Sequence, residues 1–233
     1  MAFILCIETS TNICSVALCN NGKVLTTLEE HQTNSHASLL TVMIQQMMTE
    51  KGITMDKLEA VAVSCGPGSY TGLRIGVSVA KGICFALQIP LIAVSSLQIV
   101  AAGVLLNTKE QFINQDTIIC PMIDARRMEV YSALYNSELI LKDEIKAEII
   151  DSTSYTDQLE KHKIIFAGNG SQKCESIIRH NNALFLENIY PLAGNMASLA
   201  NMAYISKKFE DVAYFEPFYL KDFIATIPKR KIF

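Results

Sequence analysis

The chain has 233 residues, half of them apolar and 18% charged, enough to bury a sizeable core and too apolar for a disordered polypeptide. A net charge of −3 and a pI near 5.8 argue against a dedicated electrostatic nucleic-acid surface and leave room for a local basic patch. Seven cysteines without a CxxC pair, mostly set among Ile, Val and Ala, read as small buried hydrophobes of a reduced, cytoplasmic protein.

In chain order, AFILCIE (2–8) is expected as a buried strand. It lacks the basic lead-in of a secretory signal and stops at Glu8. A polar turn, Thr9 to Asn12, leads to a second strand over 13–19. Asn20-Asn21-Gly22 is a hairpin signal, because Asn and Gly tolerate positive φ, and 23–31 returns as a third strand. Asn34 and Ser35 offer caps for a helix over 36–51, closed by Gly52. A strand over 59–64 enters SCGPGSYTGLRIG (64–76), followed by a helix over 72–88. Residues 91–95 form another buried strand, and Ser95 or Ser96 caps a helix to about 106. The apolar segment 83–94, broken by Gln88 and Pro90, is too short to span a bilayer, so no membrane role is expected.

The second half repeats the theme: strands over 118–124, 128–135 and 137–150, a helix over 153–161, a strand over 163–168, and helices over 171–179 and 195–208. Residues 6–20 align without gaps on 122–136. Ile7 falls on Ile123, Ala17 on Ala133, Leu18 on Leu134 and Asn20 on Asn136, and Glu8 falls on Asp124. The pattern predicts a duplicated β-β-β-α-β-α unit: an N-terminal lobe over 1–106 and a C-terminal lobe over 107–233, facing across a cleft.

Two readings of the acids stand side by side. Glu8, Thr9 and Asp124 either hold a hydrated Mg²⁺ against a nucleotide's phosphates, or the acids simply begin turns at strand ends. GPGSYTG fits neither the P-loop nor the dinucleotide fingerprint. Its glycines precede a helix N-terminus, a generic anion site, yet Gly72, Gly76 and Ala80 also make a side-chain-free ridge suited to close packing, which is the stronger reading. Two helices carry more apolar surface than one face needs: 36–51, with Leu40, Ile44, Met47 and Met48 beside Leu39, Val42 and Met43, and 72–88, with Leu73, Val77 and Cys84 beside Ile75, Val79 and Ile83. Four histidines without metal-ligand spacing give no metal site, and no nucleophile elbow appears. The end of the chain mixes aromatics with Lys229, Arg230 and Lys231, a contact for RNA or a partner, or a solvated terminus.

IETSTNICSVAL, GPGSYTGLRIG, IDARRMEVY and PFYLK together resemble the TsaB family, also called YeaZ. The resemblance covers nearly the whole chain and implies an α/β, actin/Hsp70/sugar-kinase-like fold of two duplicated ribonuclease-H-like lobes. It implies a non-catalytic scaffold that dimerises with the enzyme TsaD for N6-threonylcarbamoylation of adenosine 37 in tRNA. The TsaE ATPase is implied as a further partner, homodimers form in isolation, and tRNA is met only through the complex. The catalytic paralogue's two metal-binding histidines are replaced by the run Ser95 to Val100. The resemblance puts partner contacts on His36, Leu39, Leu40, Met43, Met47, Gly72, Leu73, Gly76, Val77 and Ala80. No cofactor is required; a weak ATP or ADP site with Mg at a vestigial or interface position is the residual expectation. Lys221 stands where the family commonly has Arg. The competing readings are a nucleotide-hydrolysing enzyme using Glu8, Asp124 and the turn Gly168-Asn169-Gly170, and, further off, a peptidase.

Overall fold

A computed structural model describes residues 2–32, 35–109, 113–114 and 116–221. Asn34 and the basic residues Lys229, Arg230 and Lys231 lie outside the described residues. The first lobe is built from β1 (Phe3–Glu8), β2 (Cys14–Asn20), β3 (Lys23–Glu30), α1 (His36–Lys51), β4 (Leu58–Gly66), α2 (Tyr70–Leu87) and β5 (Leu91–Ser95), and α3 (Ser96–Asn107) leads out of it. The second holds β6 (Ile118–Asp124), β7 (Glu129–Tyr135), β8 (Leu141–Ile149), α4 (Thr156–Leu159), β9 (Ile164–Ala167), α5 (Gln172–Glu175) and β10 (Ala183–Leu186), followed by α6 (Ala197–Ile205).

The two sheets have the same topology. The first runs β3-β2-β1-β4-β5 and the second, read from its other edge, β8-β7-β6-β9-β10. In each, two antiparallel hairpin pairings precede two parallel ones. The duplication therefore holds at the level of strands. The gapless residue overlay does not: Glu8 pairs with Ser15, whereas Asp124 pairs with Val130, so the second turn is one residue shorter. Because side chains alternate across a sheet, the slip shows in the faces. Ala17 and Ala133 both face the layer between the sheets, but on the first strands the matched residues part: Ile7 faces outward and Ile123 inward, Cys6 inward and Met122 outward.

The core has four apolar clusters in three layers. Outside the first sheet, Leu40, Ile44 and Met47 of α1 and Val77, Ala80 and Cys84 of α2 cover Leu5, Ile7, Val16 and Val63. Outside the second, Tyr155, Leu159 and Cys174 cover Cys120, Met122 and Phe166. Between the sheets lie α3 and α6. Leu97, Val100 and Val104 pack on the second sheet, and Ile99, Ala102, Leu199 and Ala200 on the first. Most of α3 is buried, as expected for a helix that is apolar all round.

Most element positions follow the expectation. The hairpin at Asn21 and Gly22 has φ of 48° and 77°, the two positive values its sequence demands. Gly52 closes α1 in the left-handed region. Five differences stand out. Helix α2 begins at Tyr70, with Ser69 as its cap accepting from the Gly72 amide at 3.2 Å. Ser35 occupies the cap position of α1, yet its side chain makes no capping bond. The strand expected from 137 starts at Leu141, because the Asn136 side chain accepts from the Glu138 and Ile140 amides and folds 136–140 into a turn. The expected helices over 153–161 and 171–179 shrink to four residues each, and β10 was not foreseen.

Candidate functional site

The glycine-rich segment is a packing device inside the first lobe. Gly66 has φ of 107°, and a Cβ there would stand 2.6 Å from the Phe218 carbonyl oxygen. A Cβ on Gly68 would meet the Ser10 carbonyl at 2.4 Å, one on Gly72 the Thr9 carbonyl at 2.1 Å, and one on Gly76 the Thr9 hydroxyl at 2.3 Å. The ridge lets α2 lie directly on the turn after β1, and the Ser69 amide donates to the Ser10 carbonyl at 2.7 Å. Close packing is the purpose, as expected, but the neighbour is this chain's own turn and not another helix.

That turn buries the first acid. Glu8 is fully buried; its Oε1 accepts from the Ser10 amide and its Oε2 has no partner. Thr9 and Ser10 are buried with it, and their hydroxyls are also unpartnered. Burial pushes the Glu8 carboxyl up to about 7, against the pull of the Ser10 amide and of the nearby Ser10 and Ser64 hydroxyls and Thr9 backbone. His36, buried at the start of α1, pins the far side of the turn through Nε2 and the Thr11 carbonyl at 2.9 Å.

The second acid ends differently. Asp124 is exposed, and its Oδ1 is ion-paired with Lys173 and accepts from the Arg126 amide at 3.0 Å. Lys173 also donates to the carbonyls of Arg127 and Glu129, both at 2.7 Å. Arg126 and Arg127 have φ of 73° and 51°, a left-handed pair that the lysine clamp holds in place. Asn169 accepts from the Asp124 amide at 3.2 Å, while Gly168 and Gly170 leave no room for a Cβ beside Met122 and Asp124.

The turns after β1 and β6 do face each other. Ser10, Thr11 and Asn12, the start of α2, residues 123–127, Asn169 and residues 218–221 line one cleft of about 690 Å³. The paired-carboxylate reading does not fit this geometry. Glu8 lies beneath the cleft, ionises less readily than an ordinary carboxyl and has no exposed oxygen, and Asp124 already has a cationic partner. These residues do not make a seat for Mg²⁺ between two acids. Among the described residues no group of three His, Cys, Asp or Glu is placed to hold a metal ion. Lys173 escaped the sequence reading because its pairing with Asp124 spans 49 residues and leaves no local signal.

The ten residues expected at a partner interface need correction. His36, Leu40, Met43, Met47, Gly72, Leu73, Gly76, Val77 and Ala80 are buried within the lobe, and Leu39 is half-buried. The nine buried residues lie on the faces their helices turn to the sheet or to the Thr9 turn, and Leu39 alone of the ten keeps partial exposure, as Ile75, Val79 and Ile83 do. What α1 and α2 present outward is a neighbouring stripe. Val42, Ser78, Gly82 and Phe85 are exposed, and Ile75, Val79 and Ile83 are half-buried. An apolar groove of about 630 Å³, lined by Ile44, Met48, Ile53, Met55 and Ile83 among others, runs between the two helices.

Residues 24–229 match a protein-family profile described as TsaD, tRNA N6-adenosine threonylcarbamoyltransferase. The chain is 30% identical to the tRNA threonylcarbamoyladenosine biosynthesis protein TsaB of Escherichia coli, over 95% of this chain and 96% of that one. The solved structure of YeaZ from Pseudomonas aeruginosa superposes with a TM-score of 0.80 at 29% identity, covering 94% of this chain and all of the other. An inorganic polyphosphate/ATP-glucomannokinase from Arthrobacter superposes at 0.52 with 9% identity, over 88% of this chain and all of the other, a likeness of fold alone. The actin- and sugar-kinase-like architecture is thus present.

Proposed function

The chain belongs to the TsaB (YeaZ) family of tRNA threonylcarbamoyladenosine biosynthesis proteins, and from that premise we propose that it is the non-catalytic partner of a TsaD enzyme. It binds TsaD through the outward stripe of α1 and α2, and the enzyme carries out threonylcarbamoyl transfer to tRNA. TsaE joins that assembly, tRNA is met through it, and the chain forms homodimers when TsaD is absent. The setting is the cytoplasm; no helix among the described residues is long and apolar enough to cross a membrane.

The observation that carries the proposal is the doubled apolar character of the outer helices. Once the sheet-facing residues are buried, Val42, Phe85 and the half-buried row Ile75, Val79 and Ile83 remain, next to the apolar groove. On α2 the apolar row Ile75, Val79, Ile83 and Phe85, with the small residues Ser78 and Gly82 beside it, favours a helical partner at close range, while α1 adds Val42 within a polar face of Ser38, Gln45, Gln46 and Thr49. The nucleotide-hydrolysing alternative rests on Glu8 and Asp124, and the burial of one and the pairing of the other weigh against it. Mass-resolved size exclusion of the chain alone and mixed with its organism's TsaD tests the reading, with transfer to tRNA assayed in parallel. A heterodimer that is active where neither half is active supports it. Absence of a complex, or turnover of MgATP by this chain alone that is lost in Asp124→Ala, overturns it.

A further inference from the structure

The last described residues do not trail into solvent; they run across the molecule. The Glu210 amide donates to the Leu91 carbonyl at 2.9 Å, and Val212 and Phe215 pack on the outer core of the first lobe. Lys81, on the flank of α2, donates to the carbonyls of Ala213 and Phe215 at 3.1 and 3.0 Å. The Phe218 amide then donates to the Cys65 carbonyl at 2.7 Å, and Gly66 gives up its side chain to the Phe218 carbonyl. The rings of Tyr219 and Tyr70 stand 4.9 Å apart, with Arg74 over Tyr70. Lys221 finally reaches the other lobe and pairs with Glu129 of β7. Residues 218–221 thereby form one wall of the interlobe cleft.

We propose that residues 210–221 are a strap that runs over the first lobe and supplies one wall of the cleft with 218–221, fastened to the first lobe by Lys81 and the Phe218–Cys65 hydrogen bond and latched to the second by Lys221. The two fastenings differ in kind. The first uses a cation shared by two carbonyls and a backbone bond over a glycine, whereas the latch is one solvent-accessible ion pair, the weak sort. The strap therefore opens from its far end, releasing Lys221 and Tyr219 first, and that opening removes one wall of the cleft. Glu129 supports both walls, since its carboxylate takes Lys221 and its carbonyl takes Lys173, which holds the Arg126-Arg127 turn.

Hydrogen exchange of the Phe218 amide in the isolated full-length chain reads strap opening directly, independently of any partner. Lys81→Met is expected to speed that exchange about tenfold, the effect of losing a charge-assisted bond. Lys221→Glu, which sets like charges face to face, is expected to speed it severalfold, and Glu129→Lys combined with Lys221→Glu to restore it. Alkylation of Cys65, the one cysteine of the seven that is not buried, is expected to follow the same order. Unchanged exchange in Lys81→Met at wild-type melting temperature overturns the proposal. Should Lys81→Met unfold the chain, the surface charge swap decides: failure to restore slow exchange contradicts the latch.

Discussion

The two lobes share a strand order and differ in what covers them. Outside the first sheet lie two long helices, His36–Lys51 and Tyr70–Leu87, whereas the second is covered by helices of four residues and the loops around them. The acids at the ends of β1 and β6 have parted in the same way: one is entombed beneath a turn, the other exposed and clamped by a lysine. Duplication conserved the sheets, which cannot change without unfolding, and left covers and strand-end turns free to diverge.

The comparison breaks most visibly at the contact between α2 and the Thr9 turn. Gly72→Ala drives a methyl group against a backbone carbonyl that cannot swing aside, so a loss of about 3 kcal/mol or more is expected in urea unfolding. Gly76→Leu is expected to fall in the same range, and to act on folding before it acts on any partner.

The next largest effect distinguishes the acids by pH. The Glu8 carboxyl is raised to about 7 in the folded chain from an ordinary value of 4.5. Between those values the unfolded chain loses its proton first, so stability is full below about pH 4.5, falls as pH rises toward 7, and is flat above it. The contribution is on the order of 3 kcal/mol, and Glu8→Gln is expected to remove that slope and to be the more stable protein at pH 8. Unfolding midpoints of both proteins between pH 4.5 and 8 check this; parallel curves would mean the carboxyl is solvated.

Lys173→Met loosens the second turn by releasing Asp124 and two carbonyls. An expected cost of about 1 kcal/mol, measurable by thermal unfolding, fits a half-exposed clamp. Smallest and opposite in sign is Gly82→Ala. Nothing lies within 4 Å of a Cβ there, so a gain of about 0.5–1 kcal/mol in helix stability is expected, against the loss at Gly72 on the same helix.

Much of this architecture was legible in the chain itself. Period and punctuation placed nine of the ten strands found among the described residues, and the long helices, because Asn-Gly, Gly52 and Pro90 mark boundaries by local backbone preference alone. The missed strand, ALFL, has only four residues and carries no alternation to betray it. The site was harder. Small residues at 72, 76 and 80 announce a close approach but do not say to what, and only the three-dimensional fold brings the Thr9 turn there. An acid at a strand end does not reveal whether a turn will close over it, and a one-residue difference in turn length escapes an ungapped overlay. Which face of an apolar helix stays outside depends on where the sheet lies, so the residues assigned to a partner fell on the buried side.

The proposal is that this chain works through the outer stripe of α1 and α2 and not through its cleft. The most direct measurement is TsaD-dependent threonylcarbamoyl transfer to tRNA, supported in turn by the wild-type chain, by Ser78→Arg and by Asp124→Ala. Ser78→Arg sets a long charged side chain at the exposed centre of α2, where it leaves the core untouched. The expected result is loss of support by Ser78→Arg at unchanged melting temperature, with Asp124→Ala close to wild type. Full support by Ser78→Arg and loss with Asp124→Ala would contradict the account and return the cleft to the centre of the function.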